Sequence, residues 1–257
     1  MIDSLAPVFE GPLAFVRDVL SLRVAPGEGE PVRCADLLRP EVLEGLLDRY
    51  AVQHQGADRR AVVSMWTQYY AARLIYPVLG ANLLLGRDLP LALEDTVLHV
   101  AEDGSPLGFC IADEGGPVAD AGMARFAPLV RQHLAPLVGA VASLGRVAPK
   151  LVWSNAGIRF AGTANIARRQ NQLSPQSQAD IDALLNNRCW PDGWDNPLFQ
   201  PYRTVETCGE AVERRRVCCL RYLLPAFEGC GVSCPLPDGR GRKPEPAQRH
   251  EGQSTFG

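Results

Sequence analysis

What this chain lacks excludes whole classes of protein. No stretch approaches the roughly 18 uninterrupted apolar residues that a membrane-spanning helix needs. No Lys or Arg precedes Arg17, whereas Asp3 and Glu10 are both present. A secretory signal has the opposite order, positive charge first and then an apolar run. No G-x-G-x-x-G, no P-loop and no G-x-S-x-G elbow occurs, so there is no sign of a built-in nicotinamide or flavin site, a nucleotide hydrolase or a serine hydrolase. The net charge is −3, without the strong basic excess of a nucleic-acid binder. There is no internal repeat. The expected address is therefore the cytosol, with peripheral attachment at the inner face of the membrane left open. In that compartment structural disulfides are rare.

What is present suits an ordinary globular protein. The 257 residues, 46% hydrophobic and 21% charged, suffice for one large domain, or a main domain with a small appendage, and for a core that does not depend on metal. Charge is unevenly spread. Residues 1–145 hold 11 basic and 18 acidic side chains, residues 146–223 hold 11 and 7, and the remainder holds 4 of each. The basic stretch runs directly into a cluster of cysteines.

Periodicity predicts a mainly helical α+β fold. Val8, Leu13, Val16, Val19 and Leu20 suggest a helix over 8–24, ended by Pro26, Gly27 and Gly29. Pro40 can open a second helix that buries Val42, Leu43, Leu46, Leu47 and Tyr50. Asp58 can cap a third, with Val62, Met65, Tyr69 and Ala72 on one face, widened by Trp66 and Tyr70, and with Pro77 stopping or kinking it near Ile75. Residues 96–100 and 107–111 are β-type runs around an Asp103-Gly104 turn, a hairpin signal. Phe126, Val130, His133, Leu137 and Val141 share a helical face that Pro128 and Pro136 must kink or split. Further helices are expected around Leu151 and after the Ser174-Pro175 cap, where Ile181, Leu184 and Leu185 supply the buried face. Residues 189–203 read as a loop. Residues 204–224 read as one helix carrying Cys208, Cys218 and Cys219. The expected organisation is a substrate-binding body over 1–203, a cysteine-rich segment over 204–235, and a disordered polar tail over 236–257.

The eight cysteines stand at 34, 110, 189, 208, 218, 219, 230 and 234. The last four fall within 17 residues, in the spacing C-C-x10-C-x3-C, directly after Arg214-Arg215-Arg216. Four thiolates complete the ligand shell of a two-iron cluster, two on each iron. A structural zinc ion uses the same four thiolates, although its cysteines usually come as C-x2-4-C at both ends. Disulfides and unrelated thiols are the remaining alternatives. Gly229 and Gly231 bracket Cys230 and let the backbone turn tightly there. Cys34, Cys110, Cys189 and Cys208 read as small buried hydrophobes. His99 and His133 read as core histidines, and Trp66, Tyr69 and Tyr70 as core or as a substrate-pocket wall. Trp153 and Asn155 read as packing and capping residues. Arg214, Arg215, Arg216 and Arg221 are either a solvated face or a positive rim that recognises an anionic chelate and tunes the metal centre.

The run Arg-Arg-Arg-Val-Cys-Cys-Leu-Arg-Tyr from Arg214, closed by Cys230-Gly…Cys234-Pro, resembles the C-terminus of the FhuF-type ferric siderophore reductases. Met65-Trp66 through Tyr69 with Pro77, and Trp153-Ser154-Asn155, are similar to that family's Trp-x3-Tyr…Pro and Trp-x-Asn stretches. In the family an adjacent cysteine pair and a later C-x2-C pair hold a [2Fe–2S] cluster. The resemblance therefore implies Cys218, Cys219, Cys230 and Cys234 as its ligands, with one extra residue between the last two, which a Gly-containing loop absorbs. It also implies one-electron reduction of a ferric hydroxamate or catecholate siderophore, with release of Fe(II). The electron would come from an external donor such as a ferredoxin or a flavin reductase. It further implies kinship of the body with the domain of siderophore synthetases. Two rival readings are a zinc-stabilised binding module and an iron–sulfur electron carrier that never meets a siderophore.

Overall fold

A computed structural model describes residues 2–22, 29–207, 209–225, 227 and 233–236. In chain order its regular elements are β1 (Leu20–Ser21), β2 (Glu30–Arg33), α1 (Pro40–Val52), α2 (Arg59–Leu85), β3 (Arg87–Asp88), β4 (Val97–Val100), β5 (Pro106–Cys110), β6 (Gly116–Pro117), α3 (Ala135–Gly145), α4 (Pro149–Arg169), α5 (Pro175–Asn186), β7 (Tyr202–Thr207) and β8 (Glu210–Arg215). This is an α+β fold in which helix predominates. Among the described residues no helix is long and apolar enough to cross a membrane.

The architecture is built around α2. The Asp58 carboxylate accepts the Arg60 N–H at 2.9 Å and starts the helix, and Gly86 ends it in the left-handed conformation at φ 59°. Between these caps α2 is buried on nearly every side, from Ala61 to Leu83. A helix stabilised by tertiary contacts on all faces can absorb a proline. Thus α2 runs straight through Pro77 to Leu85 and does not stop near Ile75. In an exposed helix interior that ring would cost about 3 kcal/mol. α4 lies along α2, and α1 and α3 pack beside it.

One further layer is a four-stranded sheet in the order β1-β5-β4-β2, with β1 parallel to β5 and the other pairs antiparallel. The expected hairpin is β4–β5, with Val97 opposite Cys110. Its turn requires Gly104, at φ 82°, because a Cβ there would lie 2.5 Å from the Leu46 carbonyl oxygen of α1. The Trp66 indole N–H donates to the Gly104 carbonyl at 3.0 Å, tying α2 to the same turn.

Two expected helices are replaced. The described part of the expected helix over 8–24, residues 8–22, does not form one. A 3₁₀ helix covers Asp3–Phe9, another covers Ala14–Val16, and the chain then enters β1. Pro12 disfavours helical geometry at Gly11, whose φ is 112°, and Leu20 pairs instead with Phe109. Residues 204–224 are not a helix either. Tyr202–Thr207 and Glu210–Arg215 form an antiparallel hairpin, and just before the second strand Gly209 has φ 80°. Thr204, Val205, Thr207 and Val212 are β-branched, which favours the strand. After Met123 the prolines split the helical face, as expected, into a 3₁₀ piece (Gly122–Phe126), a π-helical piece (Pro128–Leu134) and α3.

Two buried polar knots fix the body. Arg125 pairs with Asp180 of α5 at 2.9 Å and donates through Nε to Asn82 Oδ1 of α2 at 2.8 Å. Asp180 also accepts the Gly122 N–H and the Gln176 side chain. His133 donates from Nδ1 to the Leu91 carbonyl at 2.8 Å, so its Nε2 accepts the Tyr70 hydroxyl at 2.7 Å. Burial pushes the His133 pKa down to about 4.

Candidate metal centre

The cysteine pair follows β8 directly. The Arg215 N–H donates to the Ser233 carbonyl at 2.9 Å, which brings residues 233–236 alongside the end of the strand. Arg216 donates its N–H to the Pro201 carbonyl, and two residues later the chain reaches Cys218. Leu220 is left-handed at φ 59°, a conformation that ordinary side chains rarely adopt. The resulting turn aims the Leu220 N–H at Cys218 Sγ, at 3.4 Å.

The floor of this site comes from distant elements. Ser64 of α2 donates its hydroxyl to the Cys219 carbonyl at 2.8 Å. Asn155 of α4 donates to the Ser64 carbonyl, the Ser64 hydroxyl and the Thr67 hydroxyl at 3.0, 3.1 and 2.9 Å. Its Oδ1 accepts Arg215 Nη2 at 2.6 Å. A single amide thus binds α2, α4 and β8 beneath the cysteine pair. Cys219 and Cys234 are buried and Cys218 is half-buried. Burial raises the Cys218 thiol pKa above its ordinary value. The Leu220 N–H opposes that rise, Cys219 and Cys234 add to it, and Arg215 counteracts it. Cys218 thus lies within electrostatic reach of Cys219, Cys234 and Arg215. Cys230, the fourth expected ligand, lies outside the described residues, as does Cys208.

The donor set suits a two-iron cluster. It offers an adjacent cysteine pair, a third cysteine whose neighbour Ser233 is hydrogen-bonded to the strand leading into that pair, a backbone amide donating to one sulfur, and a guanidinium nearby, which are features that stabilise and tune such a centre. Among the described residues no three His, Cys, Asp or Glu side chains are grouped to hold a single metal ion. A cluster with two thiolates on each iron does not call for three around one ion.

The four arginines part company. Arg215 is buried against Asn155, while the exposed Arg216 donates through Nε to the Gln200 carbonyl and through Nη2 to Gln200 Oε1. Arg214 reaches Thr207 of the neighbouring strand, and the Arg221 guanidinium stacks 4.2 Å above the Phe227 ring. Arg216 also lines a polar cleft of about 310 Å³ between α4, α5 and the β7–β8 hairpin, together with Arg168, Arg203, Asn165 and Gln200. Elsewhere Cys34 and Cys110 are buried as expected, whereas Cys189 is exposed. Trp66 and Tyr70 are core and Tyr69 is partly exposed. Trp153 packs edge-on against Trp194 with ring centres 6.4 Å apart. Sequence reasoning did not identify Ser64 and Thr67. The available signal was two hydroxyls, three residues apart, in the otherwise apolar run 61–67 of α2.

The family described as "Ferric iron reductase FhuF-like transporter" matches residues 64–211. The chain belongs to that family. Membership makes it an oxidoreductase. The matched span holds Ser64, Thr67 and Asn155, and it ends before Arg215 and the cysteine pair. A relative in Escherichia coli K12, named "Ferric siderophore reductase", is 27% identical over 201 residues, covering 75% of this chain and 74% of the relative. Among solved structures, aerobactin synthetase IucC from a hypervirulent Klebsiella pneumoniae pathotype is similar with a TM-score of 0.50 at 14% identity. That likeness covers 68% of this chain and 36% of the synthetase. IucA from the same source gives a TM-score of 0.49 at 12% identity, over 66% of this chain and 37% of that one. The FhuF-family chain spans little more than a third of these synthetases, and the IucC likeness is one of fold alone.

Proposed function

We propose that this FhuF-family protein reduces a ferric siderophore by one electron in the cytosol, using a [2Fe–2S] cluster held by Cys218, Cys219, Cys230 and Cys234, and so releases Fe(II). The observation that supports it best is the Arg215 N–H bond to the Ser233 carbonyl, which brings the buried Cys234 alongside the strand that leads into Cys218 and Cys219, in a chain related to a ferric siderophore reductase. When bound, the cluster supplies a one-electron carrier reloaded by an external donor such as a ferredoxin or a flavin reductase. The chain's own residues position and shield that carrier. Ser64 and Asn155 hold the Cys219 backbone, the Leu220 N–H donates to Cys218 Sγ, and the burial of Cys219 and Cys234 keeps water from two of the sulfurs. Arg203 and Arg216, in the cleft next to the pair, offer guanidinium donors to an oxygen-rich anionic chelate. The substrate Fe(III) is a hard ion in a cage of hydroxamate or catecholate oxygens, which hold Fe(II) far less tightly. One added electron is enough to free the metal, and no acid–base triad is required.

The test begins with anaerobic purification, followed by absorption and EPR spectra with iron and sulfide counts. Two irons and two sulfides per chain are expected, falling sharply in Cys230→Ser and Cys218→Ser but not in Cys34→Ser or Cys110→Ser. The reduced protein is then mixed with ferric hydroxamate and ferric catecholate complexes in the presence of a ferrous trap. Full iron content in Cys230→Ser removes the ligand assignment. A loaded protein that no ferric siderophore oxidises is an electron carrier of another kind, and a colourless zinc protein is a binding module.

A further inference from the structure

Two arginines of this protein are buried to a similar degree, and only one has an acid partner. Arg125 faces Asp180 at 2.9 Å. Arg215 is 7% exposed, and no carboxylate among the described residues lies within ion-pair distance of it. Among the described residues its side chain makes one neutral hydrogen bond, from Nη2 to Asn155 Oδ1, and its buried Nε has no partner. A guanidinium does not shed its proton in a protein. A buried cation is costly unless a negative charge faces it. The groups gathered around Arg215 are Cys218 and Cys219, which follow it in the chain, Tyr202 opposite it on the neighbouring strand, whose phenol burial keeps neutral, and the Ser233–Cys234 backbone, bound to its own N–H. The Asn155 that grips the guanidinium also grips Ser64, which in turn holds the Cys219 carbonyl. The cation and the cysteine pair are thus fixed to one support. Arg159 is a second cation in reach and adds positive field without compensating it.

We propose that Arg215 is the built-in counter-charge of the thiolate metal centre, and that by favouring its more negative state it raises the one-electron reduction potential. This rests on the cluster reading above and deepens it. Arg215 changes no bond in the cycle: one electron arrives from the external ferredoxin or flavoprotein, one leaves to the ferric chelate, and the guanidinium remains protonated throughout. It is a positioning and tuning residue, set apart by burial from its neighbours Arg214 and Arg216. The exposed Arg216 is screened by solvent and salt and the half-buried Arg214 partly so; Arg215 is the most buried of the three.

The test compares Arg215→Gln with Arg215→Lys in the full chain. Both lose the guanidinium fork, and only the lysine keeps the charge, so a folding cost common to both cancels. In redox titrations of the loaded protein, Arg215→Gln is expected to lower the equilibrium constant for reduction at least tenfold, which is 59 mV for one electron. Arg215→Lys should recover most of that, and Arg214→Gln should shift it by less than threefold. In the reduced, metal-free protein, Co(II) binding read from the thiolate-to-cobalt absorption should weaken at least tenfold in Arg215→Gln and recover in Arg215→Lys. Equal potentials and equal cobalt affinities in the Gln and Lys variants overturn the proposal, as does equal failure of both to bind cobalt, since the role is then structural. Loss of binding in Arg215→Gln alone supports it. A wild type that takes cobalt tightly but never carries iron and sulfide refutes the cluster reading, while the cobalt comparison still decides whether Arg215 is the counter-charge of the thiolates.

Discussion

The junction of α2 with α5 and the junction of α2 with α4 and β8 are built alike and answer to different needs. Each buries an arginine, and in each an asparagine side-chain oxygen accepts from it, Asn82 for Arg125 and Asn155 for Arg215. At the first, Asp180 neutralises the charge and spends its remaining lone pairs on Gly122 and Gln176. At the second, the place of the carboxylate is taken by cysteines. A closed polar network stabilises only itself. A network left one charge short is poised for a negatively charged partner. The first knot therefore belongs to the body, and the second to what the body holds.

The contrast breaks most easily at Asp180. Asp180→Ala strands a buried guanidinium and should cost about 3–5 kcal/mol of global stability. Chemical denaturation of the purified variant measures it, and a loss below about 1 kcal/mol would mean that the two knots are not different in kind. Acid probes the same region through His133. Its folded pKa of about 4 lies below the ordinary 6.5, so the unfolded chain takes up a proton that the folded chain refuses. The stability this contributes is complete above pH 6.5 and is lost progressively as pH falls towards 4. With about 1.4 kcal/mol per pKa unit, the loss should reach about 3 kcal/mol. Denaturation midpoints at a series of pH values should show it, and His133→Gln should flatten the slope in that window. The smallest global effect is expected at the second knot. Asn155→Ala removes the partner of Arg215 and leaves Ser64 and Thr67 one donor poorer, a cost of about 1–3 kcal/mol. Its signature is local: hydrogen exchange should accelerate in residues 209–225 well before the body opens. Uniform acceleration across α2 and α4 would show that the second knot also holds the body together.

The elements legible beforehand are those whose cause is local. Pro40, Asp58 and Ser174-Pro175 mark the starts of α1, α2 and α5 because caps and first-turn prolines act within a few residues. The β4–β5 hairpin shows itself through two alternating runs around Asp103-Gly104. The cysteine spacing likewise points to a candidate metal centre through adjacency alone. What misled was periodicity without its partner. Val16 and Val19 fit a helical face equally well whether or not Leu20 finds Phe109 across the sheet, and Thr204 to Arg215 could continue as a helix until the glycine at 209 turns them back on themselves.

Residues 214, 215 and 216 draw the line between the two kinds of information. In the sequence they are three identical arginines, and no propensity separates them. In the fold the alternation of β8 and the turn after it send Arg214 to Thr207, Arg216 to Gln200 at the cleft, and Arg215 inward to an asparagine sixty residues away. The sequence by itself determined that a cation-rich run would meet four cysteines, since that needs only adjacency. Which cation loses its water and faces the thiols was decided by the packing of α2, α4 and β8 around Asn155. Desolvation depends on what surrounds a side chain in space and not on what precedes it in the chain.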